Sequence, residues 1–146
     1  MGWEARQMAE KASVLVVDDE PDLCWAMDNI LSPAGYRVTR ATTGQQAIEQ
    51  ARETPFALAL IDAKLPDVDG TELVLLLKAI NPGMAVIMIS GYFYKEDRVI
   101  EEGLLNGTYA GFIAKPFDLS EVRRVTEQAL NVSTSNFKLQ TSKFEV

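Results

Sequence analysis

The chain has 146 residues, 47% of them hydrophobic and 24% charged, and a formal net charge of −7. Because it contains no histidine, it cannot itself supply a Ser-His-Asp or Cys-His catalytic unit, a histidine-ligated zinc site or a histidine pH switch. The acidic excess argues against direct binding of nucleic acid or of an anionic membrane, since both require clustered Lys and Arg.

The single cysteine, Cys24, cannot form a disulfide within the chain, which favours a reducing cytoplasmic compartment. We expect Cys24 to be a small packing residue in a helix. The longest apolar run covers only residues 56–61, far short of the ~20 residues that a membrane helix needs. The sequence therefore predicts a cytoplasmic chain without a membrane segment.

Short apolar runs alternate five times with longer amphipathic stretches. The predicted strands are Ser13–Val17, Tyr36–Arg40, Ala57–Ile61, Ala85–Ile89 and Gly111–Ala114. The first, third and fourth strands are continuously apolar, a pattern typical of central strands in a parallel sheet that helices cover on both faces. The predicted helices are Pro21–Ala34, Thr43–Glu53, Asp69–Ile80, Lys95–Leu105 and Asp118–Leu130.

Five successive β-α units favour an α/β fold with a doubly wound parallel sheet. Residues 12–131 are predicted to form the single domain. Residues 1–11 are predicted to be an N-terminal extension. Residues 132–146 turn polar and are predicted to be a C-terminal tail or the start of a linker.

Charged and hydroxyl side chains follow the predicted strands. Asp18-Asp19-Glu20 follows the first strand, Asp62 the third, Ser90 the fourth and Lys115 the fifth. The carboxyl ends of parallel strands meet at one edge of the sheet, where ligands of such folds bind. We therefore expect these side chains to lie close together.

This combination of groups favours phosphoryl chemistry. Clustered carboxylates repel one another unless a cation neutralises them. Oxygen ligands without histidine suit Mg²⁺ better than zinc. A lysine and a hydroxyl group can bind phosphoryl oxygens, and an aspartate can itself act as the nucleophile and form an aspartyl phosphate.

Four motifs in order closely resemble the receiver domain of bacterial two-component response regulators. They are the runs at residues 14–20, 61–70, 89–91 and 114–117, and the resemblance covers about residues 13–131. The runs at 23–25 and 90–92 are also similar to receivers of the nitrogen-regulator (NtrC) type.

The resemblance implies a flavodoxin-like (βα)5 fold with strand order 2-1-3-4-5. It also implies that Asp62 accepts a phosphoryl group from a sensor histidine kinase or a phosphotransfer protein. The metal ligands for Mg²⁺ would be Asp18, Asp19, Asp62 and the backbone carbonyl of Lys64. Lys115 would pair with the phosphoryl oxygens, and Ser90 would hydrogen-bond to them.

Ser90 and Phe112 would be the switch residues of such a receiver. The face of helix 4, strand 5 and helix 5 would control an output and could form a homodimer. The domain would be a regulatory phosphoacceptor and not an enzyme, with self-phosphotransfer and autodephosphorylation as its only reactions. The segment from Ser90 to Lys115 is about three residues longer than is usual in the family, and Tyr92 within it is predicted to slow loss of the phosphate.

Other functions fit the residues less well. A phosphatase of the haloacid dehalogenase type needs an acid two residues after the nucleophile, where this chain has Lys64. A flavodoxin-type carrier would not place an acidic run against FMN phosphate. Residues 67–70 lack the further ligands of a calcium loop and are predicted to form a turn and cap for the third helix. A phosphorylation-independent interaction module of the same fold remains an alternative.

Overall fold

Five parallel strands form one sheet in the order β2-β1-β3-β4-β5, as predicted. The computed structural model describes residues 12–91 and 98–131. The strands are β1 (Ser13–Val17), β2 (Arg37–Ala41), β3 (Leu58–Asp62), β4 (Ala85–Ser90) and β5 (Gly111–Ala114). The three continuously apolar runs are the three interior strands, and β2 and β5 form the edges. The flavodoxin-like α/β fold is thereby confirmed.

A helix follows each strand. The helices are α1 (Pro21–Leu31), α2 (Gly44–Glu53), α3 (Gly70–Ile80), α4 (Arg98–Asn106) and α5 (119–131). The predicted end of α1 at Ala34 is wrong, because residues 32–35 form a turn in which Gly35 adopts a positive φ of 104°. No helix in the described part of the chain combines the length and apolarity that a bilayer crossing requires.

Several sequence predictions fall outside the described residues. They are the N-terminal extension 1–11, the tail 132–146, the role of Tyr92 and the first predicted turn of the fourth helix. The extra length between Ser90 and Lys115 is described in part, by α4 and by the connection from α4 to β5.

The interior strands contribute alternate side chains to two apolar layers. Leu58 and Leu60 of β3 face the layer under α1 and α5, whereas Ala59 and Ile61 face the layer under α2, α3 and α4. Both faces of each strand are therefore buried, which explains why these runs are continuously apolar. The layers hold the strand ends, and with them the polar edge, in fixed positions.

The carboxyl ends of β1 and β3 lie side by side at the centre of the sheet. Val17 of β1 pairs with Ile61 of β3, so Asp18 and Asp62 leave adjacent strands at equivalent positions. The chain crosses to opposite sides of the sheet after these two strands. This is the topological switch point, where the crevice of an open α/β sheet forms.

The loop after β3 is bound to the start of α2. The Asp67 carboxylate accepts hydrogen bonds from the backbone N–H groups of Gly44 at 2.8 Å and Gln45 at 3.0 Å. The Thr43 hydroxyl accepts a third from Gln46 at 3.1 Å. Three N–H groups that the helix itself leaves without acceptors are thus satisfied, two of them by a side chain 22 or more residues away.

This arrangement confirms one prediction in part, because Asp69 of the predicted turn is the N-cap residue of α3. Residues 67–70 do form a turn, but the cap they supply through a side chain belongs to α2. Asp69 occupies the N-cap position of α3 and its side chain makes no cap hydrogen bond. Asp67 instead points back to α2, because the turn carries it across to Gly44.

Gly70 allows α3 to begin directly against the backbone of Asp62. A Cβ atom at residue 70 would collide with the Asp62 carbonyl oxygen and would lie 2.8 Å from the Ala63 Cα. The Gly70 N–H donates to the Ala63 carbonyl at 2.8 Å. The absence of a side chain at residue 70 therefore lets the loop after β3 close tightly.

We predict that Asp67→Ala lowers the free energy of unfolding at neutral pH by more than Asp69→Ala does. The hydrogen bonds from Gly44 and Gln45 lower the pKa of Asp67 below its ordinary value of 3.8. Its contribution is therefore present above about pH 4 and is lost as the pH falls through the lower folded pKa. Urea unfolding of both variants across this range measures the difference, and equal losses in both variants would contradict the prediction.

Candidate functional site

Asp62 ends β3 and its carboxylate is held at both oxygens. The Oδ1 atom accepts the Lys64 N–H at 3.0 Å, and the Oδ2 atom accepts a hydrogen bond from Lys115 Nζ at 2.9 Å. Its backbone is fixed by the pairing of β3 with β4, and the Ala63 N–H continues this ladder to the Ile89 carbonyl at 2.8 Å. The carboxylate is thus oriented, and only 8% of the side chain is exposed.

Lys115 comes directly after β5 and reaches over the sheet edge to three carboxylates. Its N–H donates to the Ser90 carbonyl at 2.8 Å, which anchors the residue beside the end of β4. Its Nζ lies 2.9 Å from Asp62 Oδ2, 3.1 Å from Asp18 Oδ2 and 3.3 Å from Glu20 Oε1. The peptide bond to Pro116 is cis. One ammonium group therefore connects the ends of β1, β3 and β5.

The surroundings of Lys115 favour its charged form. Burial alone would lower the pKa of the ammonium group, but the hydrogen bond to Asp62 and the negative charges of Asp18 and Asp62 outweigh burial and raise the pKa above its ordinary value of 10.5. Lys115 therefore stays a cation throughout the physiological range, as binding of an anionic phosphoryl group would need.

Asp18 is the most deeply buried carboxylate of the edge. Its Oδ1 atom accepts the Glu20 N–H at 2.9 Å. Its Oδ2 atom is buried and has no hydrogen-bond partner among the described residues, although Lys115 Nζ lies 3.1 Å away in an ion pair. Burial, followed by the charge of Asp62, raises the pKa of Asp18 to about 6, although the Glu20 N–H and Lys115 oppose this change.

These residues suit a hard divalent cation. Carboxylate oxygens of Asp18, Asp19 and Glu20 lie within 4.8 Å of one another. The buried Oδ2 of Asp18 has no hydrogen-bond partner among the described residues and only the ion pair with Lys115 beside it, so it has a lone pair that a cation could take. An all-oxygen donor set of this kind fits Mg²⁺. The residues present therefore fit the metal that the sequence implied.

A cavity of about 460 Å³ opens onto the edge. It is lined by Asp19, Glu20, Asp62, Lys64, Ser90, Gly91 and Lys115. The structure therefore brings together the predicted Asp19, Asp62, Lys64, Ser90 and Lys115, with Asp18 buried against Lys115. Ser90 is 3% exposed. A larger groove of about 760 Å³, between α1 and α5, contains none of the predicted site residues.

Phe112 is not among the residues that line this cavity. It pairs with Met88 in the β4–β5 ladder and packs, partly buried, against the layer under α2, α3 and α4. Its position links the end of β5 to the helical face that includes α4. Its role as a switch residue stays a prediction.

Glu20 was expected at this edge as part of the acidic run but without a role of its own, and it proves to be part of the site. Its carboxylate lines the cavity and forms an ion pair with Lys115. The acidic run after β1 indicated that Glu20 would lie at this edge. Its partner could not be identified from the sequence, because the two residues are 95 positions apart.

Cys24 of α1 lies beneath the site as a packing residue, as predicted. The thiol is buried and donates to the Asp18 carbonyl at 3.3 Å. Burial, with the nearby charge of Asp18, raises the pKa of Cys24 to about 11. The thiol is therefore protonated at neutral pH and contributes packing rather than reactivity.

The family model of the response regulator receiver domain matches residues 14–127. Among the solved structures, a CheY-like receiver from Methanospirillum hungatei has a TM-score of 0.76 at 31% identity, over 85% of this chain and 97% of that one. NtrX from Brucella abortus, in complex with ADP, has a TM-score of 0.78 at 30% identity, over 88% of this chain and 29% of that one.

Two relatives differ in the fraction of their length that this chain covers. The transcriptional regulatory protein ZraR of Escherichia coli is 34% identical over 121 residues, 83% of this chain but only 27% of that protein. Sporulation initiation phosphotransferase F of Bacillus subtilis is 30% identical over 122 residues, 84% of this chain and 96% of that protein. The chain thus spans about a quarter of ZraR and nearly all of the phosphotransferase. The similarity to ZraR and NtrX supports the resemblance to receivers of the NtrC type.

We predict that Asp18→Asn raises the free energy of unfolding near pH 7.5, without added metal, by about 1–2 kcal/mol. The buried carboxylate of Asp18 is charged above its pKa of about 6 and lies close to Asp62, and the amide removes that charge. Because the folded pKa is raised above 3.8, the wild-type protein binds a proton on folding and gains stability as the pH falls from 7 to about 4. The advantage of the variant should therefore shrink on acidification.

Denaturant unfolding at several pH values, in the presence of a chelator, measures this difference. Asp19→Asn is the matched control, because Asp19 is the exposed carboxylate next in the chain and its substitution should change stability less. A variant whose advantage grows as the pH falls would contradict the prediction.

Proposed function

Because the chain belongs to the response regulator receiver domain family, we propose that it accepts a phosphoryl group on Asp62 from a sensor histidine kinase or a phosphotransfer protein. The observation that carries the proposal is the pairing of the Asp62 carboxylate with Lys115 Nζ at 2.9 Å, at the wall of an open cavity. An oriented carboxylate beside a permanent cation is what nucleophilic attack on a phosphoryl group requires.

In the proposed reaction an oxygen of Asp62 attacks the phosphorus atom. The new O–P bond forms as the bond from phosphorus to the donor nitrogen breaks, and the nitrogen leaves with the electron pair. Lys115, already in contact with Asp62, would pair with the phosphoryl oxygens. The Ser90 hydroxyl lines the same cavity and would donate a hydrogen bond to them.

Asp18, Asp19, Asp62 and the backbone carbonyl of Lys64 would hold Mg²⁺ in this proposal. The ion would neutralise negative charge on the phosphoryl oxygens. The orphaned Oδ2 of Asp18 and the proximity of the Asp18 and Asp19 carboxylates support this set. Lys64 lines the cavity beside Asp62, and its N–H already holds Asp62 in place.

The output is proposed to pass through α4, β5 and α5, with Ser90 and Phe112 as the switch residues. The Ser90 carbonyl accepts the Lys115 N–H, so the end of β4 is bonded to the residue that contacts Asp62. Phe112 lies three residues earlier on β5, beside Met88. A shift of Ser90 toward a phosphoryl group would therefore act on β5. The same face is the proposed homodimer surface.

The proposed receiver unit is 12–131, and 132–146 is the proposed tail or linker start. Within this unit the domain is regulatory, with self-phosphotransfer and autodephosphorylation as its proposed reactions. Both a long regulator such as ZraR and a short phosphotransferase contain a matching receiver. Any effector of this chain is therefore proposed to act through a separate unit.

We predict that Mg²⁺ and acetyl phosphate add the mass of one phosphoryl group to the intact protein, and that Asp62→Asn abolishes the addition. The amide of asparagine is not a nucleophile toward phosphorus, whereas the carboxylate is. Intact-mass spectrometry detects the product, and beryllofluoride with Mg²⁺ should change the fluorescence of Trp25 without covalent chemistry. A chelator should prevent both effects.

Asp28→Asn is the control, because it makes the same chemical change at a carboxylate that pairs with Arg40 and does not line the cavity. It should be modified like the wild-type protein. If the wild-type protein is not modified and beryllofluoride has no effect, the phosphorylation-independent interaction module becomes the better description.

A further inference from the structure

The backbone of Glu20 makes three hydrogen bonds, whereas its side chain has no part in the proposed reaction. The residue precedes α1 in an extended conformation, and its N–H donates to Asp18 Oδ1 at 2.9 Å. Its carbonyl accepts the N–H groups of Leu23 at 3.0 Å and Cys24 at 3.2 Å. Glu20 occupies the N-cap position of α1, yet its side chain makes no cap hydrogen bond there.

The Glu20 side chain is directed to Lys115 instead. The Oε1 atom lies 3.3 Å from Lys115 Nζ, and the side chain is 65% exposed. The other two carboxylates on this ammonium are buried, with 8% of the Asp62 side chain and none of the Asp18 side chain exposed. Glu20 is therefore the carboxylate on the solvent side of Lys115, where a phosphoryl donor must approach.

The negative charge of Glu20 is close to the reacting oxygen. Glu20 Oε1 and Asp62 Oδ2 lie 3.3 and 2.9 Å from the same Nζ atom, so the two oxygens are at most about 6 Å apart. At that distance a unit charge changes the energy of an approaching anion measurably even in water. Glu20 also offsets part of the positive charge of Lys115, which would otherwise attract the phosphoryl oxygens.

We propose that Glu20 is a specificity-determining residue that selects phosphoryl donors by their charge. The inference rests on the proposed function, because it requires Asp62 to be the acceptor. The Glu20 carboxylate repels free dianionic acyl phosphates more than donors whose phosphoryl group is linked to nitrogen and carries less net negative charge. It thereby favours donors in which a protonated nitrogen offsets one of the two phosphoryl charges, of which phosphoramidate is a small example.

Two small phosphoryl donors can separate the effect of donor charge from the transfer reaction itself. With acetyl phosphate, the Asp62 oxygen bonds to phosphorus as the P–O bond to the acetyl group breaks, and acetate leaves with the electron pair. With phosphoramidate, the P–N bond breaks and the protonated nitrogen leaves with the electron pair as ammonia. The acceptor, its Mg²⁺ requirement and the product are the same, and the phosphoramidate ion has one fewer net negative charge.

The test compares wild-type protein, Glu20→Gln and Glu53→Gln with both donors at saturating Mg²⁺. In water, the negative charge of Glu20 about 6 Å away repels the acetyl phosphate dianion by about 1.4 kcal/mol and the phosphoramidate monoanion by about 0.7 kcal/mol. We therefore expect Glu20→Gln to accelerate modification about tenfold with acetyl phosphate and about threefold with phosphoramidate. The ratio of the two rates should therefore rise about threefold. Glu53 is an exposed glutamate at the end of α2, outside the cavity, and its variant should leave both rates and their ratio unchanged.

Glu20→Asp retains the charge on a shorter side chain and should keep the ratio near the wild-type value. A binding measurement distinguishes a role of Glu20 in donor selection from a role as a metal ligand. The Glu20 carboxylate lies near those of Asp18 and Asp19, but it is paired with Lys115 and is not in the proposed ligand set. Calorimetric titration with Mg²⁺ should therefore give affinities for wild type and Glu20→Gln that agree within about twofold.

An unchanged donor ratio in Glu20→Gln would overturn the inference, and an accompanying loss of Mg²⁺ affinity of about tenfold or more would identify Glu20 as a metal ligand instead. A wild-type protein that neither donor modifies would contradict the proposed function itself. In that outcome the inference about Glu20 would also be wrong. Modification of the wild-type protein therefore tells a failure of the proposed function from a failure of the inference alone.

Discussion

One ammonium group, that of Lys115, pairs with three carboxylates, and the properties of the polar edge depend on this excess of negative charge. Its positive charge offsets only part of the negative charge of Asp18, Asp62 and Glu20. The remaining imbalance appears as the raised pKa of Asp18 and as an Oδ2 atom without a hydrogen-bond donor. An edge in this condition is suited to the cation and the phosphoryl anion that the proposed function places there.

The fold maintains this imbalance by burying the strands that carry it. Asp18 and Asp62 leave neighbouring interior strands, and Lys115 reaches them from the edge strand β5 across β4. Repulsion between the carboxylates could be relieved if the strand ends moved apart. The two apolar layers oppose such movement, because every residue of β3 is buried. Packing energy thus supports an electrostatically unfavourable arrangement at the place where chemistry is proposed.

The part of the site that could be predicted is the part set by topology. The apolar runs indicated which strands are interior, and a parallel sheet brings the residues after those strands to one edge, which was enough for Asp18, Asp62 and Lys115. Contacts made by flexible side chains between loops were not predictable. Asp67 binds the start of α2, and Glu20 pairs with Lys115 95 positions away, because local spacing does not record which distant group a carboxylate can reach.

The contact between Gly70 and the backbone of Asp62 has a consequence for interpreting variation in this chain. Residue 70 carries no functional group, yet any larger side chain there would press on the carbonyl of the proposed acceptor. In a survey of all single substitutions scored by signalling output, residue 70 should group with the acidic residues of the edge rather than with the exposed positions of α3. A map of essential positions would then contain a residue whose contribution is the space it leaves empty.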